Sequence, residues 1–217
     1  MRRLLVILVV LLVIISGSLV FAQTYRMLQP GQVLADTINP VSNPVDLWVI
    51  ELPPSAVTIF LWGADLETYR VGFLMYTEKY QLLGHDSRLD EFKPHFGTVA
   101  GGKYYLVVYA LYTENKTVSY LIGSANATIP YSLSSGGTQT FNFTVNGGKR
   151  TWLFLVDRSD NFNPDIFVYY QGRRIGSSEE AEDLDFIFWD IPTTTAFEIR
   201  IVATSGSGIY WIMSVSY

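Results

Sequence analysis

Asp157, Asp160, Asn161, Asn163 and Asp165 crowd carboxylate and amide oxygens into one short stretch between two apolar segments. Calcium takes such hard oxygen donors on flexible loops, so these residues are the candidate metal ligands. The stretch is not an EF-hand, because the central glycine and the closing glutamate are missing. The same residues can instead form a polar turn in which Asp and Asn side chains bond the backbone. Asp65 and Glu67 occupy the corresponding loop of an earlier repeat, more sparsely. A second acidic run, Glu179, Glu180, Glu182, Asp183 and Asp185, followed by Asp190, reads as a solvated loop. If it folds beside the first run, the two could share an ion.

Other reactive groups are thinly spread. His85 and His95 are the only histidines, with Asp86, Asp90 and Glu91 between them. Two histidines and a carboxylate can bind zinc, but Pro94 and two separate loops leave that geometry unfixed. Ordinary polar loop residues are the expectation there. The chain has no cysteine, which excludes thiol catalysis, thiolate zinc sites and iron–sulfur clusters. It has no Gly-x-Ser-x-Gly elbow, and Gly206-Ser207-Gly208 reads as a turn between strands. No glycine-rich loop leads into a helix that could hold phosphate. Nothing local marks a glycosidase carboxylate pair, so a protein without a catalytic centre is expected. Trp48, Trp62, Trp152, Trp189 and Trp211 could stack on sugars if exposed, but their aliphatic neighbours predict core packing. Asn115, Asn126 and Asn142 each open an Asn-x-Thr glycosylation sequon, with Asn115 in a predicted hairpin turn.

The elements that must position these groups are strands, and they occur twice. Gly101 to Ala110 followed by Val118 to Ile122 returns as Ala196 to Ala203 followed by Gly208 to Met213. The offset is about 90 residues, the size of one small sandwich. Phe73 to Tyr76 leading to Leu83-Gly84 likewise corresponds to Ile166 to Tyr169 leading to Ile175-Gly176. Asp46 to Leu52 and Val57 to Trp62 are β-branched and aromatic, and Pro53-Pro54 must turn between them. Strands at this spacing, separated by Gly, Pro and Asn turns, predict an all-β sandwich or barrel. The strand from Tyr104 to Tyr112 is apolar on both faces, which predicts that its outer face is covered, by the sister module or a partner. A short linker near residues 123–130 predicts a packed pair rather than two swinging modules.

Gln29-Pro-Gly31, the Asp-aromatic strand Asp46-Leu-Trp48, the apolar strand ending in Tyr76 and Gly102-Lys-Tyr-Tyr-Leu-Val-Val-Tyr109 follow one another in order. This series resembles the bacterial and archaeal pre-peptidase C-terminal domain, a jelly-roll-like β-sandwich appended to secreted hydrolases. The resemblance covers most of residues 25–122 and, more loosely, 131–217. The second copy departs from it, with Ala196-Phe-Glu-Ile in place of Gly-x-Tyr-Tyr and no Asp-aromatic pair. The resemblance implies two tandem sandwich domains, over 23–128 and 129–217, with an extracellular accessory role rather than catalysis.

Residues 1–22 read as an N-terminal signal helix: Arg2 and Arg3, an apolar run from Leu4 to Phe21, and small residues before Gln23. Cleavage before Gln23 is the expected processing, and an uncleaved signal anchor is the alternative. Either route exports the body to a secreted or cell-surface location. Two of the 15 basic residues and none of the 20 acidic ones precede Gln23, so the exported part is more acidic than the whole chain at −5. That balance argues against nucleic acid as a partner. An extracellular polymer, a cell-envelope protein or further copies of the chain are the expected partners, with membrane contact only through the N-terminal segment if it is uncleaved. The absence of disulfides in an exported chain points to a prokaryotic source. The first 38 residues also suggest a second role, in which Gln23 to Ile38 adds to a neighbour's sheet edge and builds a filament or surface layer.

Overall fold

The computed structural model describes residues 25–62, 71–86, 92–111, 114–158, 161–179 and 184–217. Residues 1–22, read above as a signal, and Asp65, Glu67, Asp90, Glu91, Asp160, Glu180, Glu182 and Asp183 lie outside the described residues. The first half forms β1 (Arg26–Met27), β2 (Val33–Ile38), β3 (Val45–Leu52), β4 (Ser55–Trp62), β5 (Val71–Thr77), β6 (Leu82–Asp86), β7 (Phe92–Val99), β8 (Gly102–Ala110) and β9 (Val118–Ala127). The second half forms β10 (Tyr131–Leu133), β11 (Thr138–Val145), β12 (Lys149–Asp157), β13 (Asn163–Tyr170), β14 (Arg173–Ser178), β15 (Leu184–Ile191), β16 (Thr195–Ser205) and β17 (Gly208–Ser216). The chain is all-β, as expected from its strand and turn pattern.

Four sheets result, in the orders β1-β3-β8-β5-β6, β2-β9-β4-β7, β10-β17-β12-β15 and β11-β16-β13-β14. Advancing every strand of β2-β9-β4-β7 and β3-β8-β5-β6 by eight reproduces the last two sheets. Among the described residues both halves therefore share the eight-strand jelly-roll order, and β1 is the one surplus strand. The surplus strand pairs parallel to β3, whereas the other ladders are antiparallel. The repeat seen in the sequence is thus a repeat of topology: β8 and β9 correspond to β16 and β17, and β5 and β6 to β13 and β14.

Each half closes over its own core. Trp48, Ile50, Phe73, Met75 and Leu106 meet Ile59, Leu61, Tyr120 and Ile122 in the first. Leu153, Leu155 and Tyr210 meet Ile166, Val168, Ile199 and Ile201 in the second. A third apolar layer joins the halves: Ala56, Phe60, Trp62, Leu121 and Ala125 face Trp152, Phe154, Val156, Met213 and Val215. The Phe60 ring centroid lies 5.3 Å from that of Trp152 and 5.4 Å from that of Phe154. Every residue of β4 is buried because one face serves its own core and the other this layer. The molecule is a stack of four sheets, with β2-β9-β4-β7 and β10-β17-β12-β15 in the middle.

Two expectations need correction. The sister module does cover an outer apolar face, but that face belongs to β4 and β9; the outer face of β8, with Tyr105, Val107 and Tyr109, lies on the far side of the stack. The small residues near 123–127 are not a linker either, since β9 continues to Ala127. Gly123 sits opposite Phe60 in the ladder, and a methyl group there would overlap the Phe60 ring. Smallness at this position makes room for the aromatic layer; it does not loosen the chain.

Candidate functional site

Strand pairing brings Asp157, Asp165 and Asp185 to one end of the second sandwich. Val156 pairs with Leu184 and Leu155 with Asp185, so Asp157, the last residue of β12, stands beside the start of β15. Ile166 pairs with Ser178, which places the start of β13 and the end of β14 at the same end. Asp157, Asp165 and Asp185 are all buried, and Ser178 Oγ donates to Asp185 Oδ1 at 2.8 Å.

The candidate ligands do not all share one face. Alternation from Leu153 and Leu155 turns Asp157 toward the core side of its sheet, and Asp185, opposite Leu155, with it. Asp165, opposite Val202 and next to core-facing Ile166, belongs to the outer side of its own sheet. Its Oδ1 is buried without a hydrogen-bond partner. Burial raises the Asp165 pKa, a hydrogen bond from Thr204 opposes the rise, and the Glu179 charge adds to it. Asn163 donates to Thr204 Oγ1 at 3.2 Å, and Asn161 is exposed. Among the described residues, no three His, Asp or Glu side chains gather closely enough to hold a metal ion.

His95 is partly buried over Gly84, and its pKa is lowered by burial and then by the charge of His85. Of the sequons, Asn115 is exposed and its Oδ1 accepts from Asn39, while Asn142 is exposed on β11. Asn126 is half-buried within β9, opposite Val57. Trp48, Trp62 and Trp152 are buried, and Trp189 and Trp211 pack partly buried against the second core and the inter-sandwich layer.

Two polar constellations were not singled out in the sequence. The first surrounds Asp46. Tyr120 donates to its Oδ2 at 2.7 Å, Arg26 and Asn43 donate to its Oδ1 at 2.8 Å, and Trp48 Nε1 donates to Tyr120 at 3.2 Å. Burial and the neighbouring Asp46 carboxylate hold the Tyr120 phenol far above the ordinary tyrosine range. The Asp-aromatic motif is therefore a buried bracket between the two sheets of the first half. In the second half Tyr210 donates to Gln139 at 2.6 Å, so Gln139 and Phe141 stand where Asp46 and Trp48 stand in the first.

The second constellation borders a groove of about 860 Å³ between the sandwiches, lined by Gln32, Ser119, Lys149, Arg150, Asp190 and Tyr217. Arg150 binds Asp190 through two hydrogen bonds, of 2.7 and 2.5 Å, and its guanidinium lies over Phe188 and Trp62. Those hydrogen bonds hold the Asp190 carboxyl below its usual range. Arg150 is already engaged, and it seals the rim of the aromatic layer.

Fold and site together define two jelly-roll-ordered halves, with three buried carboxylates at one end of the second. No protein-family model and no curated protein sequence matches the chain. Among solved structures it is similar to the pre-peptidase C-terminal domain of a collagenase from Bacillus anthracis, at 11% identity over 47% of this chain and 95% of that one, with a TM-score of 0.41. It is also similar to PliG, a periplasmic lysozyme inhibitor from Aeromonas hydrophila, at 16% identity over 48% and 100%, with a TM-score of 0.33. Tandem CBM51 modules of a Streptococcus pneumoniae glycoside hydrolase give 9% identity over 84% and 83%, with a TM-score of 0.26. All three likenesses are distant, and the architecture rests on the strand order itself.

Proposed function

We propose that the chain is an exported, non-catalytic binding or accessory protein whose partner is an extracellular polymer or a cell-envelope protein. The observation that carries this reading is the aromatic layer, which fixes two sandwiches in one relative orientation. A rigid pair presents its loop ends and outer faces at constant spacing, which favours binding by reducing the entropy lost on contact. Cosedimentation of residues 23–217 with purified peptidoglycan and with insoluble cell-wall polysaccharide tests it. Retention in the pellet that saturates with protein supports the reading, and recovery wholly in the supernatant with both polymers counts against it.

Calcium at the acidic end of the second sandwich belongs to the same proposal. Asp157, Asp165 and Asp185 are buried at that end, and Asp165 carries a buried oxygen without a hydrogen-bond partner. Because burial raises its pKa, Asp165 favours folding below the unfolded value of 3.8, and that contribution is lost as pH rises through the folded value. At neutral pH a bound cation would remove the penalty. Calcium is expected to raise the melting midpoint of the wild type relative to a chelator. Asp165→Asn should raise the calcium-free midpoint and lose the calcium shift. A calcium shift of wild-type size in both Asp157→Asn and Asp165→Asn would place any ion elsewhere.

Assembly by strand addition is the second reading, and one observation favours it. Strand β11 pairs only with β16, and among the described residues nothing pairs with its other edge, whereas β1 covers the equivalent edge of β3. The β11 sequence Thr-Gln-Thr-Phe-Asn-Phe-Thr-Val contains no proline, charge or bulge to blunt that edge. The segment 23–38 is a poorer donor than expected, because β1 and β2 already pair at home. Light scattering should find concentration-dependent oligomers that Thr140→Lys abolishes; a wild type monomeric at every concentration sinks this reading.

A further inference from the structure

Among the described residues, eight strands lie at sheet edges, and seven of them are blunted. The strands β1 and β10 are only two and three residues long. Asp36 lies on β2, Asp86 on β6, Pro94 on β7, Arg173 on β14, and Asp185 and Asp190 on β15. Shortness, charge and proline each discourage the addition of a further strand. Strand β11 has none of these over its eight residues, and its ladder with β16 runs without a bulge.

The first half shows what covers such an edge. There β1 lies on β3, Leu28 N–H donates to Val49 O at 2.9 Å, and the Leu28 side chain is fully buried in the core. Trp48 and Ile50 of β3 are buried as well. In the second half Phe141 and Phe143 hold the corresponding places on β11 and are only partly buried. The chain has no local segment to cover them. Five residues, Leu28 to Gln32, separate β1 from β2, but only Thr128, Ile129 and Pro130 separate β9 from β10. The β1 strand of another copy does not suit the edge either. Its Arg26 pairs with Asp36 and Asp46, and β11 offers neutral Gln139 where β3 has Asp46.

We propose that the free edge of β11 joins two copies of this chain, which pair antiparallel through β11 about a two-fold axis at Asn142. The proposal rests on the strand-addition reading and names its partner. Directly opposed residues of an antiparallel pair share a face, so the two-fold falls on a residue and not between two. Centred on Asn142, Thr140 meets Thr144 on the exposed face and Phe141 meets Phe143 on the core face. Both are favourable cross-strand pairs, and the second covers the half-buried rings. The whole chain is acidic, at −5, yet β11 brings no charge to the contact. Each copy spends the same edge, so assembly through it stops at two, whereas a filament needs two different surfaces.

The cysteine-free sequence makes the test direct. Full-length Asn142→Cys and Thr138→Cys variants would be purified in dodecyl maltoside, oxidised with copper phenanthroline and run on non-reducing gels. At the two-fold, opposed Cα atoms lie about 4.5–5.5 Å apart, within disulfide reach, while the two copies of residue 138 lie about 27 Å apart. Asn142→Cys should therefore give at least about tenfold more covalent dimer than Thr138→Cys. Adding Thr140→Lys to Asn142→Cys should return the yield to the Thr138→Cys level. Light scattering of the wild type should show a doubled protein mass and nothing larger. A doubled mass with equal cross-linking at 138 and 142 would overturn the proposal. Growth beyond two copies would overturn it too, while leaving strand addition standing. A wild type monomeric at every concentration would overturn the proposal and the strand-addition reading together.

Discussion

Trp152→Ala is expected to destabilise the protein by about 3–5 kcal/mol, although this side chain belongs to neither sandwich core. It is fully buried in the layer between the halves, against Phe60 and Trp62. Truncation opens a cavity that β4 and β12 cannot close, because each is held by strands on both sides. The loss should appear as a lower urea midpoint. Phe60→Ala should cost a similar amount, and the double variant less than the sum of the two, since the rings share one contact. A loss under about 1 kcal/mol for Trp152→Ala would mean that the halves merely touch.

The second large effect is expected at Asp46. Asp46→Ala leaves the buried Tyr120 hydroxyl without its acceptor and Arg26 and Asn43 without a shared partner. Breaking such a buried charged bracket costs about 3–5 kcal/mol. The Arg26 share is the smaller part, because its guanidinium is 42% exposed and water screens it. Tyr120→Phe should cost less, about 1.5–3 kcal/mol, the range of one hydrogen bond to a charged group. Gln139→Ala removes the neutral counterpart in the second half and should cost about 1 kcal/mol. Denaturant midpoints of the three variants would give that order, and equal losses at Asp46 and Gln139 would refute the difference assigned to charge.

The strand pattern was readable because short-range chemistry writes it. Pro53-Pro54 separates β3 from β4, and the Gly-Lys-Tyr-Tyr strand recurs in register with Phe197 to Ala203. The packing of the halves was foreseen on the wrong strand. Tyr104 to Tyr112 and Ser55 to Trp62 are both apolar on two faces, and nothing local says which one meets the sister sheet. Gly123, Ser124 and Ala125 resemble a linker in composition because the Phe60 ring and the adjoining turn demand small side chains there. Gln139 could not be matched to Asp46 from sequence, since the shared property is a hydrogen-bond acceptor facing a tyrosine 71 to 74 residues away. The placement of Asp157 and Asp185 at one end depends on the β12–β15 ladder, a long-range pairing that composition does not encode.

The binding reading depends on the two sandwiches behaving as one rigid body. Calorimetry of residues 23–217, with far-ultraviolet dichroism and tryptophan fluorescence followed over the same melt, tests that most directly. The account predicts a single transition, coincident in both probes, with equal calorimetric and van't Hoff enthalpies. Two separated transitions, with tryptophan emission shifting to the red before the second, would show the aromatic layer opening while each sandwich stays folded, and would contradict it.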